Sequence, residues 1–325
     1  MSERNLSQGA IAPGAVVGID VGGTKLLAIR IHANGGVTAD APQASPQDGA
    51  GVVAEVVAVT RRLCGPVVSG AVGLGIPGLV DGAGRVRFAP NLPGLVDHPL
   101  TDAVREALPG WQVWVGNDAT AACWGEHERG SAKGAREVLM VTLGTGIGGG
   151  IISGGRLLEG SHRYAGEFGH MVVDPHGPRC PCGKRGCWER FASGSGLGAL
   201  GREMAIAGEA PRLVALAGLD PESVKGEHVT TAAAEGDGPA LEIMNRFAWW
   251  VALGLANLAN ALDPELIVVG GGLITAGDVL IEPIRLAFAD LVAAPSLRTD
   301  VRIEAAVLGS QAGAIGAALL AASGN

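Results

Sequence analysis

Two stretches of this 325-residue chain follow one plan, and that repetition constrains the fold more than any other feature. Residues 16–19 are apolar, Asp20-Val-Gly-Gly-Thr-Lys25 supplies a turn, and residues 26–31 are apolar again. Residues 138–143 are apolar, Gly144-Thr-Gly-Ile-Gly-Gly-Gly150 supplies a turn, and Ile151-Ile152 leads to another turn at Gly154-Gly155. Strand, glycine turn, strand reads as a β-hairpin, and its recurrence suggests two related lobes. Length agrees, since a single hydrophobic core stops growing at roughly 250–300 residues. Apolar residues at helical spacing occur at 50–64, 100–108, 119–128, 239–262 and 311–322, and apolar strand runs at 72–76, 111–115 and 266–269. The run at 72–76 ends on Pro77-Gly78, and the longest helical pattern stops at Asp263-Pro264. Strands alternating with helices predict an α/β fold, with a hairpin in each half making its sheet mixed and a cleft between the lobes. Residues 160–195 read as irregular.

The chain is 47% apolar and 17% charged, which leaves ample material for buried cores. Its formal net charge is −8, from 24 Lys plus Arg against 32 Asp plus Glu, and no dense basic cluster appears, so nucleic acid is not an expected partner. Residues 1–15 mix Glu3, Arg4, Asn5 and Gln8 with Gly and Pro and lack the apolar centre of a signal peptide; a disordered leader is expected. No run approaches the ~18 apolar residues of a membrane helix. Five cysteines, three of them at Cys180, Cys182 and Cys187, argue by odd count and clustering for a metal over disulfides, and for a reducing cytoplasm.

Four segments carry candidate chemistry. In the first turn, Gly22 and Gly23 can bend freely and present N–H groups to an anion, Thr24 adds a hydroxyl, Lys25 a charge, and Asp20 an oxygen ligand for Mg²⁺. An ordinary hairpin turn is the alternative, and Walker A spacing is absent. The second turn contains G-x-G-x-x-G at Gly144, Gly146 and Gly149, which invites a dinucleotide-binding, nicotinamide-dehydrogenase reading. That fingerprint must open a helix, whereas a short apolar run broken at Ser153 follows here, so a second phosphate turn fits better. Asn117-Asp118 lies between a predicted strand and a predicted helix: a helix N-cap, a base able to take a proton from a substrate hydroxyl, or both. Finally, His170, Cys180, Cys182 and Cys187 form H-x9-C-x-C-x4-C, a complete soft-to-borderline donor set for structural Zn²⁺. Glu167 and Glu189 flank that loop as pocket carboxylates or as solvated surface charges; Trp188 and the Trp249-Trp250 pair read as packing.

With these motifs in this order, the sequence resembles the ROK family of sugar kinases and repressors, and within it the bacterial glucokinases, over residues 16–322. Asp20 to Lys25 is similar to the family's first phosphate loop, Asn117-Asp118 to its catalytic pair, and Leu143 to Gly150 to its second phosphate loop. Glu167-Phe-Gly-His170 resembles its ExGH sugar motif, Cys180 to Cys187 its C-x-C-G-x-x-G-C zinc loop, and Gly270-Gly271-Gly272 its adenosine-side turn. The segment from Trp188 to Gly194 resembles the glucokinase version. The resemblance implies an actin-like ATPase (ribonuclease H-like) fold. Its small lobe would span 16–118, with the C-terminal helix (310–325) packing back on it, and its large lobe 119–309. It implies ATP with Mg²⁺ held at Asp20, Gly22, Gly23, Thr24, Lys25, Gly144, Thr145, Gly146 and Gly270–272, and a hexose held by Gly78, Asn91, Asn117, Asp118, Glu167, His170 and Glu189, with Asp118 as base.

The expected activity is transfer of a phosphoryl group to the 6-hydroxyl of D-glucose by a homodimer or homotetramer. N-acetylmannosamine, mannose, fructose or allose could replace glucose, and polyphosphate could replace ATP. A ROK repressor is the reading from another class, and only 15 residues precede the first strand, too few for a DNA-binding domain.

Overall fold

A computed structural model of the chain describes residues 14–297 and 299–324. The expected leader lies outside the described residues except for its last two positions, of which Ala15 opens the first strand. β1 (Ala15–Val21) and β2 (Lys25–Ile31) form the expected hairpin, antiparallel from Val16↔Ile31 to Val21↔Leu26. β3 (Val37–Ala39) and β4 (Gln43–Ala44) pair with β2. α1 (Gly49–Cys64) starts where the Asp48 carboxylate accepts the Gly51 N–H at 2.8 Å and buries Val52, Val56 and Val59 along one stripe. It returns the chain to β5 (Gly70–Ile76), parallel to β1. A short antiparallel pair, β6 (Leu79–Val80) and β7 (Val86–Phe88), precedes α2 (Leu100–Ala107), β8 (Trp111–Asn117) and α3 (Asp118–Arg129). The sheet order is β3-β2-β1-β5-β8, with β8 parallel to β5.

The second sheet repeats the plan. β9 (Val138–Leu143) and β10 (Ile147–Ser153) form a hairpin, and β11 (Arg156–Leu157) pairs with β10. The irregular stretch holds a 3₁₀ turn at Phe168–His170 and α4 (Glu189–Ala192). Three helices without a clear sequence pattern follow: α5 (Gly194–Ile206), α6 (Pro211–Leu216) and α7 (Gly226–Ala234). α5 carries glycine at 194, 196, 198 and 201, each costing about 1 kcal/mol in helix propensity, so its helicity comes from tertiary packing: a side chain on Gly201 would meet Val229 and Val224. α8 (Gly238–Leu262) begins at Asp237, whose carboxylate accepts the Ala240 N–H at 3.0 Å, and ends at left-handed Asp263 before Pro264. β12 (Leu266–Gly270), α9 (Asp278–Leu291), β13 (Arg302–Ala305) and α10 (Ala312–Ser323) complete the chain. The sheet order is β11-β10-β9-β12-β13, with β12 parallel to both β9 and β13.

The described chain divides into two units, one of residues 14–129, Leu158–Ala165 and residues 310–324, the other of Gly130–Leu157 and Gly166–Gly309. α3, expected at the start of the large lobe, therefore belongs to the first unit. The cause is α10, which lies on α3 so closely that a Cβ on Gly316 would strike the Ala121 carbonyl. α10 also packs on the sheet, where Gly18 and Gly73 leave room for the carbonyls of Ala314 and Ala317. Val17, Ile19, Val72, Leu74, Val56 and Val59 lie in this unit's core. Among the described residues no helix is long and apolar enough to cross a membrane.

Candidate active site

In the first unit Asp20 of β1 pairs in register with Gly75 of β5, and Gly75 with Gly116 of β8. Three parallel strands thus end side by side at their carboxyl ends, the place where such sheets hold ligands. Asn117 and Asp118 follow directly. The Asn117 amide oxygen accepts the Thr120 N–H at 2.9 Å, and its NH₂ donates to the Gly78 carbonyl at 3.1 Å. Asn117 is therefore the helix cap, and Asp118 is released from that duty; its carboxylate accepts the Ala119 N–H at 2.8 Å. Gly78, at φ +134°, lies where a Cβ would strike the Phe88 carbonyl, so only glycine brings this carbonyl to Asn117.

Between the two acids, a Cβ on Gly75 would come within 3.2 Å of the Asp118 Cα. Burial raises the Asp118 pKa above its ordinary value, partly opposed by the Ala119 N–H. Burial first, and then the charge of Asp118, push Asp20 up to about 7. A carboxyl so placed can accept a proton at neutral pH.

The first glycine turn is braced from outside. The Gly22 N–H donates to the Lys25 carbonyl at 2.9 Å, the Ser45 N–H to the Thr24 carbonyl at 3.1 Å, and the Gln47 amide to the Gly23 carbonyl at 3.1 Å. Thr24 and Lys25 are exposed, and Gly23 abuts Asn91, whose Cβ would lie 2.9 Å from a Cβ at Gly23. A Cβ on Gly313, in the first turn of α10, would lie 2.8 Å from an Asp20 carboxylate oxygen.

In the second unit, the donor atoms of His170, Cys180, Cys182 and Cys187 all lie within 4.8 Å of one another. A tetrahedral Zn²⁺ with Zn–S near 2.3 Å and Zn–N near 2.0 Å requires donors roughly 3.5–3.8 Å apart. Cys182 Sγ to Cys187 Sγ is 3.5 Å and Cys180 Sγ to His170 Nδ1 is 3.9 Å, so the four side chains fit the ion. Burial pushes the Cys187 thiol up to about 12, and a cation there is what makes a thiolate favourable. With Nδ1 facing the thiols and bound to the ion they would hold, the ring N–H would lie at Nε2, which is 3.9 Å from a Glu167 carboxylate oxygen. Both side chains are more than a third exposed, leaving that N–H open to a ligand hydroxyl. The backbone runs on from Cys187 into the buried Trp188, whose ring N–H donates to the Trp250 carbonyl at 2.7 Å, and then to Glu189. Phe191 stacks on Trp250 with ring centroids 4.2 Å apart, while Trp249, expected to pack, remains 43% exposed.

Glu189 reaches the second glycine turn, where its carboxylate accepts the Ile147 N–H at 3.1 Å. The Gly194 N–H donates to the Gly144 carbonyl at 2.7 Å, and the Ser195 hydroxyl to the Thr145 carbonyl at 3.0 Å. This G-x-G-x-x-G run enters β10 and opens no helix, so the dinucleotide reading falls. Gly271, at φ +86°, packs beneath Leu143 so closely that a Cβ would be 2.5 Å from the Leu143 carbonyl, bringing the Gly270–272 turn beside the second one.

The ROK family model matches residues 16–323. A glucokinase from Streptomyces coelicolor is 38% identical over 95% of this chain and 98% of its own length. A glucokinase from Halalkalibacterium halodurans is 37% identical over 92% of each chain. The crystal structure of a ROK family glucokinase from Streptomyces griseus in complex with glucose and AMPPNP superposes with a TM-score of 0.84 at 38% identity, covering 95% of this chain and all of that one.

The chain belongs to the ROK family. With membership comes the actin-like ATPase fold, an α/β architecture whose paired hairpin-led sheets are those described above. Within this ROK chain the structure groups Asp20, Gly22, Gly23, Thr24, Lys25, Gly78, Asn91, Asn117 and Asp118 in the first unit. It groups Gly144, Thr145, Gly146, Glu167, His170, the three cysteines, Glu189 and Gly270–272 in the second. The motif reading missed Gly75, Gln47 and Ser195. Glycine inside the apolar strand 70–76 was an available signal for a close backbone approach. Gln47 and Ser195 belong to no motif; they act on turns distant in sequence, and only the fold brings them there.

Proposed function

We propose that this protein is an ATP-dependent glucokinase that converts D-glucose to glucose 6-phosphate. The observation that carries glucose and ATP is the near-full-length likeness, at 38% identity, to an enzyme solved with glucose and AMPPNP. The site supports the same reading. Asp118 accepts the proton of the 6-hydroxyl as that oxygen bonds to the γ-phosphorus and the bond from phosphorus to the ADP oxygen breaks. Asn91, Asn117, Glu167, the His170 Nε2–H and Glu189 hold the sugar hydroxyls, and Gly78 acts through Asn117. The three glycine turns, with Thr24 and Lys25, hold the nucleotide, and Asp20 supplies an oxygen to Mg²⁺, which neutralises phosphate charge when bound. His170, Cys180, Cys182 and Cys187 would hold Zn²⁺ in a structural role, and that bond would fix the orientation of the His170 ring.

The odd number of cysteines, with three of them gathered as a zinc donor set, supports a reducing, cytoplasmic setting. The exposed Trp249 supports a self-associating surface, in a homodimer or homotetramer whose mass light scattering would give. A coupled assay pairing ATP or polyphosphate with glucose, N-acetylmannosamine, mannose, fructose and allose tests the reaction. Glucose with ATP should give the highest kcat/KM, and a higher value for any other pair overturns the assignment.

A further inference from the structure

We propose that Ser195 is a positioning residue for the nucleotide, orienting the second glycine turn so that two backbone N–H groups face the phosphates; this rests on reading that turn as a phosphate holder. The turn contains four successive N–H groups, at Gly144, Thr145, Gly146 and Ile147. The outer two are satisfied within the protein: Gly144 donates to the Gly146 carbonyl at 3.0 Å and Ile147 to the Glu189 carboxylate at 3.1 Å. The inner two, on Thr145 and Gly146, donate to no other described residue. Their direction is set from behind. Every peptide here is trans, and in a trans peptide the N–H points opposite to the C=O of the same plane.

The Gly144 carbonyl is drawn to the Gly194 N–H at 2.7 Å, which turns the Thr145 N–H away from the start of α5. The Thr145 carbonyl is drawn to the Ser195 hydroxyl at 3.0 Å, which turns the Gly146 N–H the same way. Two adjacent, preoriented N–H groups form an anion nest, and preorientation removes the ordering cost from nucleotide binding. Gly146 tolerates the arrangement because a Cβ there would strike the Glu189 carboxylate.

Ser195 has no competing structural task. It is exposed, and α5 is capped by Ser193, whose hydroxyl accepts the Gly196 N–H at 3.3 Å. Ser195→Ala removes one hydrogen bond behind the turn and nothing in front of it. Loss of a bond worth about 1 kcal/mol corresponds to a KM for ATP raised roughly fivefold. The KM for glucose and the zinc content should stay at wild-type values, the thermal midpoint should fall by no more than a few degrees, and Ser195→Thr, which keeps the hydroxyl, should restore the KM for ATP.

Amide exchange provides the second readout. In the free enzyme Ser195→Ala should exchange faster at Gly194 and Ile147, the amides tied to the turn. An unchanged KM for ATP with unchanged exchange overturns the proposal, and so does a KM for glucose that rises as much as that for ATP. The phosphate reading has its own measurement, since ADP should protect Thr145 and Gly146 in the wild-type enzyme. If ADP leaves both amides unprotected, that reading fails, whereas the exchange of Gly194 in the free variant still reports whether Ser195 holds the turn.

Discussion

Asn117 and Asp118 are neighbours with separate duties, and their separation gives a sharp test. Asn117 caps α3 and ties it to Gly78, so Asn117→Ala should cost about 0.5–2 kcal/mol of stability, measured by chemical denaturation. Asp118→Asn keeps size and a hydrogen-bond acceptor but removes the base, so kcat should fall by roughly 10²–10⁴ with stability and the KM for ATP little changed. A variant retaining most of its kcat removes Asp118 from the mechanism. Asp20 adds a pH dependence. Its folded pKa of about 7 lies above the ordinary 3.8, so between those values the folded state holds a proton that the unfolded chain has released. Stability of the nucleotide-free protein therefore declines as pH rises through that window. Binding of Mg²⁺ needs the ionised form, so the KM for Mg·ATP should rise as pH falls below about 7, approaching a factor of about ten per unit. Asp20→Asn, with nothing to titrate, should flatten that slope while binding Mg·ATP weakly at every pH.

At the scale of elements, the zinc loop was the most legible part of the site, because the chemistry of four donors depends on residue type and spacing and hardly on tertiary context. What the spacing did not contain was the nitrogen used: only the fold turns Nδ1 of His170 toward Cys180 and leaves Nε2 for Glu167. That geometry links metal to sugar. Cys182 is the exposed ligand, and Cys182→Ala should lower zinc below about one per chain by metal analysis. The KM for glucose should rise together with metal loss, roughly 10- to 50-fold for the disturbance of two hydrogen bonds. Zinc loss with an unchanged KM for glucose would separate the loop from the sugar. The glycine-rich α5 was illegible for the opposite reason, since its helicity comes from neighbours such as Val224 and Val229.

Across the whole molecule, the repeated hairpins announced two sheets, but the boundary between units could not be read, because periodicity shows what an element is and not what it packs against. α3 follows β8 with a helix's ordinary pattern, and the close approaches of Gly316 to Ala121 and of Gly125 to Ala312 show that it belongs with α10. The first unit thus joins segments from before, within and after the second in sequence, and α10, at residues 312–323, packs on its sheet. Gly316→Ala forces a methyl into the Ala121 carbonyl, an overpacking that should cost about 1–3 kcal/mol. The cost falls on one unit. Calorimetry of the variant should show an earlier transition for the unit that holds Asp20 and Asp118, with zinc retained by the other and its transition unmoved. If both transitions shift together, the two units unfold as one, and α10 stabilises the whole chain rather than the sheet it covers.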